Sequence, residues 1–360
     1  MPVTGFKQSF IRRVVSPPRR MAGLSLIELM VAVALGLIIL AGLITVFVNS
    51  SAARNEIERT SRQIENGRYA LEILSDDLRL AGFFGEMNPA VANETLGVGV
   101  PGALPDPCST TVAEWGPALY LHVQGYHNGS GLPLTCTAAT NIKTNAVATT
   151  NPDIVVVRRV RACAAGVAGC EAVDPDKPYL QVSLCATESP VTPYVLDLGA
   201  ASALKLKDCG TDAARRQYLV NIYYISTDNE AGSSVPTLKR LEFMADGTIG
   251  RTALVEGIEQ LNVEYGIDTD LDGLPDAYTA DPTNYPAGCS PCASVTNWRN
   301  VMTARVFVLA RNIEASPGYT DTKTYNLGSV TVGPFNDGYR RHVYASLVRL
   351  VNPAGRRDTP

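Results

Sequence analysis

The chain has 360 residues, 46% of them hydrophobic and 18% charged, enough for a sizeable core and one or two domains. Its net charge of -4 hides an asymmetry, because residues 1–23 hold Lys7, Arg12, Arg13, Arg19 and Arg20 and no acid. Without them, 26 basic and 35 acidic side chains remain, and a surplus of acid argues against a general nucleic-acid binder, which needs concentrated positive charge.

Residues 24–48 follow this basic head as a 25-residue apolar run in which Glu28 is the one charged group. About 20 apolar residues suffice for a helix to cross a bilayer. The basic flank predicts a cytoplasmic N-terminus with the rest of the chain exported. A secretory signal would be shorter and carry a small-residue cleavage site after the apolar stretch. A plain N-terminal anchor is the simple alternative, and Glu28 strains it. A charge within a bilayer costs about 2.5–3.5 kcal/mol on insertion scales and calls for a partner. A cut after Gly23 would give Leu24 a free amine, about 6 Å along a helix axis from Glu28. Ala32, Gly36 and Gly42 add small residues suited to close helix contact.

Helical periodicity continues past Val48 through Ile57, Ile64, Leu71, Leu74, Leu78 and Ala81, predicting one helix over residues 24–81, about 87 Å long. "AGFFG", 81–85, is the expected terminus. The domain organisation read from this is a leader, 1–23; a membrane half, 24–48; an amphipathic half, 49–82; a β-rich domain, 83–352, with a loop-rich insert at 86–216; and a tail, 353–360.

Beyond residue 85 the best strands are 153–162, 217–227, 238–245, 258–268, 303–313 and 340–352. Several alternate apolar and polar residues, as in a half-buried antiparallel sheet. A long helix followed by such strands predicts an α+β fold. All eight cysteines lie at or beyond Cys108, on the exported side of the apolar run, which suits a disulfide-permitting compartment. Among 105 possible pairings, the expectation takes neighbours in sequence: Cys108 with Cys136, Cys163 with Cys170, Cys185 with Cys209, Cys289 with Cys292. "CSPC", 289–292, has zinc or redox spacing too, but no histidine stands at ligand spacing to it, so a short structural disulfide is expected.

"DTDLDGLPD", 268–276, is the one motif of metal-ligand type. Asp268, Asp270, Asp272 and Asp276 fall at positions 1, 3, 5 and 9 of an EF-hand-like loop, with Gly273 at 6 and the Leu274 carbonyl at 7. Thr279 replaces the bidentate acid at position 12 and no flanking helices are evident, so this is not an EF-hand. The two readings are a Ca²⁺-stapled loop and a solvated acidic turn. His122 and His127 are expected on strand or surface positions. No nucleophile elbow, phosphate-binding loop or Ser/His/Asp set can be nominated, and an enzyme is not expected.

"GLSLIELMVAVALGLIILAGL" resembles the prepilin-type signal: a glycine, a hydrophobic first mature residue and a glutamate at mature position five. Leu24 stands where that family most often has Phe. "RYALEILSDDLRLAGFFG", "IEQLNVEYGIDTDLDGLPDAY" and "RRHVYASLVRLVN" resemble the PilW family of type IV pilus minor pilins, related to the J-type minor pseudopilins of type II secretion. The resemblance covers residues 20–85 and 217–352 and fades over 86–216. It implies a pilin-like fold, with prepilin peptidase cutting between Gly23 and Leu24 and methylating the new amine. It also implies a single-pass inner-membrane protein that joins other minor pilins, the major pilin and the inner-membrane assembly platform in a priming complex, then reaches the cell-surface pilus tip. Glu28 would meet the Leu24 amine of a neighbour. A tip-located adhesin and a type II secretion pseudopilin are the alternative roles.

Overall fold

The computed structural model describes residues 23, 25–87, 100–145, 150–188, 193–199, 204–244 and 247–357. Two compact units divide the chain, Met1–Asn55 and Glu56–Pro360, and helix α1 (Leu26–Leu80) contributes to both. In the first unit every described residue is exposed, including the apolar run through Val48. By length and composition this segment is able to cross a membrane. Gly36 and Gly42 have nothing within 4 Å of a Cβ placed on them. The hydroxyl of Thr45 donates to the Ala41 carbonyl at 2.9 Å, so the helix satisfies its one mid-segment hydroxyl internally.

In the second unit α1 packs through Gln63, Gly67, Ala70, Leu74, Ser75, Asp77 and Leu78. This differs from the expected stripe: Ile57 is 66% exposed and Ile64 38% exposed, whereas Leu74, Leu78 and Ala81 are buried. The face turns because polar and small residues are satisfied inward. Gln63 Nε2 donates to the carbonyls of Ala310 (2.8 Å) and Arg340 (2.9 Å). A Cβ at Gly67 would lie 2.2 Å from the Tyr344 ring. The helix ends where Gly82 takes φ +73°, a left-handed conformation that suits glycine.

Among the described residues thirteen strands follow. A seven-stranded antiparallel sheet runs β1 (Val123–Tyr126), β2 (Ile154–Val160), β5 (Arg215–Ser226), β3 (Pro178–Val182) and β4 (Tyr194–Leu198), with β6 (Thr237–Phe243) and β7 (Ile249–Glu256) continuing from β5. A four-stranded sheet runs β13 (Arg341–Arg349), β10 (Val301–Arg311), β8 (Ile258–Ile267) and β9 (Ala277–Thr279). β11 (Tyr325–Leu327) and β12 (Val330–Val332) form a hairpin. Short helices α2 (Val112–Ala118), α3 (Ser294–Arg299) and α4 (Val351–Gly355) fill the edges.

The core has layers. Leu74, Leu78, Val155, Val157, Tyr223, Ile225, Leu261, Val263, Val306 and Val308 share one cluster that joins α1 to both sheets. Val156, Tyr218, Val220, Ile222 and Tyr224 point to the opposite face, against Phe84, Trp115 and the Cys108–Cys136 region. β2 and β5 are therefore buried on both faces, which explains their nearly continuous apolar runs. Leu309 meets the β11–β12 hairpin in a third cluster.

Two expected boundaries move. Residues 86–216 carry β1–β4 of the large sheet, so that span is integral to the domain rather than inserted into it. Pro353 and Ala354 are buried, so the packed chain continues past 352. There α4 and its flanks cap α1: Arg356 Nη2 donates to the Gly82 carbonyl at 2.8 Å, and Asn352 Nδ2 to that of Ala81 at 3.2 Å. A cation there also suits the negative end of the helix dipole.

Candidate functional site

Two features carry the chemistry singled out by the sequence: the start of α1 and the loop between β8 and β9. At the first, the Glu28 amide donates to the Ser25 carbonyl (3.0 Å) and to its Oγ (3.3 Å). Ser25 thus caps α1, and Glu28 lies in the first turn, where the helix dipole favours an acid. The spacing Ser-x-x-Glu is a capping-box signature, a local reason for a glutamate here that the sequence reading passed over. Among the described residues no cation pairs with Glu28. Gly23 is exposed; Leu24 and the basic head, residues 1–22, lie outside the described residues.

At the second, the pairing of Ile267 with Ala277 closes the loop 268–276. Asp268 is fully buried. Its Oδ1 accepts from the Leu271 amide at 2.6 Å; its Oδ2 accepts from the Gly273 amide at 2.9 Å and from Arg357 Nη1 at 2.8 Å. Arg357 also donates to Asn300 Oδ1 at 2.6 Å, tying the C-terminal segment to this loop. Asp270 accepts from the Asp272 amide (3.3 Å), and Asp272 from the Leu274 amide (2.7 Å). Asp276 Oδ2 accepts from Thr269 N (2.7 Å) and Oγ1 (2.6 Å). Gly273 has φ +88° and Leu271 φ +68°, so the turn passes through left-handed backbone twice.

Carboxylate oxygens of Asp268, Asp270 and Asp276 come within 4.8 Å of one another; Asp272 is not in that group. The Asp270 carboxyl titrates above its usual value. The Asp272 amide pulls it down, but desolvation and the charges of Asp272, Asp276 and Asp268 outweigh that bond. The donor set is all oxygen, which suits a hard cation. Arg357 already offsets part of the Asp268 charge.

Disulfides join Cys108–Cys136, Cys163–Cys170, Cys185–Cys209 and Cys289–Cys292, and no cysteine is free. Asp106 lies close to Cys108 and Cys136, but bonded sulfurs leave no thiolate for a metal. His127 Nδ1 contacts Asp153 Oδ1 at 3.0 Å. His122 is buried, with Nε2 2.7 Å from the Val301 carbonyl oxygen. Neither belongs to a metal-ligand group.

Residues 222–352 match the family model for the type IV pilus-assembly protein W, and residues 18–44 match the prokaryotic N-terminal methylation motif. The chain carries a PilW-family region behind a prepilin-type signal. That region begins inside β5 and ends in α4, so it holds the whole four-stranded sheet, the hairpin and the acidic loop. The methylation motif spans Gly23, Leu24 and Glu28. Comparison with curated proteins and with solved structures returned no match. Over the matched residues the chain is similar to type IV pilus-related pilins, and the methylation motif covers the start of its apolar N-terminal helix.

Proposed function

We propose that the protein is a minor pilin of the type IV pilus that enters the tip or priming complex through α1. Prepilin peptidase cuts between Gly23 and Leu24 and methylates the Leu24 amine. Before assembly the chain sits in the inner membrane with its N-terminus cytoplasmic; afterwards it belongs to the surface pilus. Its partners are other minor pilins, the major pilin and the assembly platform, and its role is structural rather than catalytic. One observation carries this reading: the exposed apolar part of α1, residues 26–48, has in its first turn an acid that no cation pairs with among the described residues, inside a matched methylation motif. In apolar surroundings opposite charges attract far more strongly than in water, so Glu28 and a neighbour's Leu24 amine would fix register during docking. Glu28→Ala is expected to abolish incorporation into pili while leaving the second unit folded. Normal incorporation of that variant refutes the reading. Intact mass of the membrane-extracted protein checks processing: loss of residues 1–23 plus one methyl group is expected.

We further propose that the loop 268–276 takes Ca²⁺, through Asp268, Asp270 and Asp276, with Asp272 and the Leu274 carbonyl beside them. The convergence of three carboxylates and the raised Asp270 titration favour this over a bare acidic turn. An exported site of this kind falls in the ~10⁻⁴–10⁻³ M class. Millimolar Ca²⁺ should raise the melting temperature of the 56–360 fragment and leave Asp270→Ala unshifted. An unshifted wild type rejects the metal.

A further inference from the structure

We infer that the cavity between α1 and the end of β10 is an anion site, which takes one monatomic anion of the chloride class on the guanidinium of Arg311. Arg311 is the last residue of β10 and is 8% exposed. Its guanidinium stacks on the Tyr339 ring, 3.9 Å from the centroid. Its Nε has no hydrogen-bond partner, and among the described residues no carboxylate forms an ion pair with it. Asp337 is near enough to feel the charge, but Arg341 holds both its oxygens, at 2.7 Å each. The other buried Arg and Lys side chains each have an acceptor. Arg341 has Glu259, Asp321 and Asp337; Lys239 has Asp228 at 2.8 Å; Arg158 has the Gln124 amide oxygen at 2.8 Å. A buried cation left without an acceptor is costly, so a cavity adjoining Arg311 is where its counterion belongs.

Arg59, Arg62, Gln63 and Asn66 of α1 line this cavity with Arg311 and Glu314. The amide nitrogens are spent: Gln63 Nε2 on the carbonyls of Ala310 and Arg340, Asn66 Nδ2 on that of Glu256 at 3.0 Å. The donors left at the cavity are therefore guanidinium groups. Glu314 is taken by Arg59 at 2.8 Å, and Arg62 is paired with Glu58, so the charge of Arg311 is the one left over. The volume decides the class of anion. It is about 10 Å³, room for one water-sized body. Sulfate, phosphate and a carboxylate group are too large to enter whole. A water molecule fits and can accept from the guanidinium, but it carries no charge to offset it. A monatomic anion does both, and a guanidinium gives up less hydration to receive it than an ammonium would.

The test unfolds the full chain in detergent with urea at fixed ionic strength, with sodium chloride replacing sodium gluconate. Fluorescence of Trp115 and Trp298, both in the second unit, follows the transition. Above the dissociation constant, each tenfold rise in chloride should lower the unfolding constant by about tenfold, as expected for one ion released per chain. Bromide should substitute for chloride, and Arg311→Gln should lose the dependence. Where Arg311→Gln does not fold, Arg62→Gln, at an exposed position of the lining, serves instead; it should keep the fold and shift the chloride midpoint upward. Identical unfolding in chloride and gluconate overturns the inference and leaves water in the cavity. A chloride dependence unchanged by Arg311→Gln, or by Arg62→Gln where that variant replaces it, overturns it too.

Discussion

His122 makes the folded domain sensitive to acid, and the size of the effect follows from its surroundings. The imidazole is wholly buried; desolvation pushes its pKa from 6.5 down to about 3. The Val301 carbonyl opposes that shift, and the charges of Arg356, Arg357 and Arg158 add to it. The ring is therefore neutral when folded, with Nε2 donating to Val301. In the unfolded chain it takes a proton below its ordinary value. A folded pKa depressed below the unfolded one means stability is lost as pH falls below 6.5, until about pH 3. From pH 7 to pH 5 the loss amounts to about 2 kcal/mol. His127 works in the other sense. Its hydrogen bond to Asp153 raises its pKa, so it stabilises at low pH and weakens as pH rises through the folded value. Urea unfolding of the 56–360 fragment at pH 7 and pH 5 therefore needs a reference, and His122→Gln, which keeps a donor for Val301, supplies one. The wild type should lose about 2 kcal/mol more than the variant over this interval. Equal losses, or an NMR titration of folded His122 near 6.5, would refute the reasoning.

Gly67→Val should destabilise the domain by about 1–3 kcal/mol, because its side chain enters the space of the Tyr344 ring; Tyr344→Ala in the same chain should recover most of the loss in denaturant melts. Asp77→Ala should cost about 3–5 kcal/mol, because it strands Arg159, whose Nε lies 2.6 Å from the carboxylate, and removes the acceptor of Asn221 and Tyr223. A fragment starting at residue 86 should fail to give a cooperative transition where 56–360 succeeds. It lacks Leu74 and Leu78, each worth about 1.5–3 kcal/mol of burial, together with the Asp77 network. Circular dichroism melts distinguish the two.

β2, β5, β6, β8, β10 and β13 were legible because their apolar runs are long and β-branched, whereas the eight-residue β7 was not, because Gly250, Arg251 and Thr252 interrupt its apolar residues. β3 and β4 were not. They are five residues each, and β3 buries Gln181, whose amide donates to the carbonyls of Ala213 and Leu204 at 2.7 and 3.3 Å. A polar residue satisfied by distant backbone has no signature in local periodicity. The same limit misled the stripe on α1. Gln63, Gly67 and Asp77 read as exterior positions, and only partners between 82 and 277 residues away make them interior. Arg341, in the segment RRHV, likewise reads as a surface base. Folded, it is buried among Glu259, Asp321 and Asp337. In the acidic loop the aspartate spacing was visible, but the contact from Arg357, 89 residues on, was not. The methylation motif needed no fold to be recognised, because its glycine, acid and apolar run are contiguous in sequence.

The two acids Glu28 and Asp77 on α1 mark what each part of the helix is for. Asp77 is 5% exposed and its charge is answered within the chain, by a guanidinium, an amide and a phenol. An acid so satisfied holds the domain together and leaves nothing for a partner. Glu28 has a helix cap behind it and apolar, exposed side chains around it, with no described cation to meet it. In water such an arrangement would cost little. In a bilayer or among packed apolar helices an unanswered carboxylate is expensive, and the favourable helix dipole returns only about 0.3–1 kcal/mol. On the proposed reading the deficit would be met by a cation brought to the start of the helix, and cleavage after Gly23 would create one on Leu24. If that amine belongs to the same chain, Glu28 is merely neutralised; if it belongs to a neighbour, each subunit's acid becomes the address for the next.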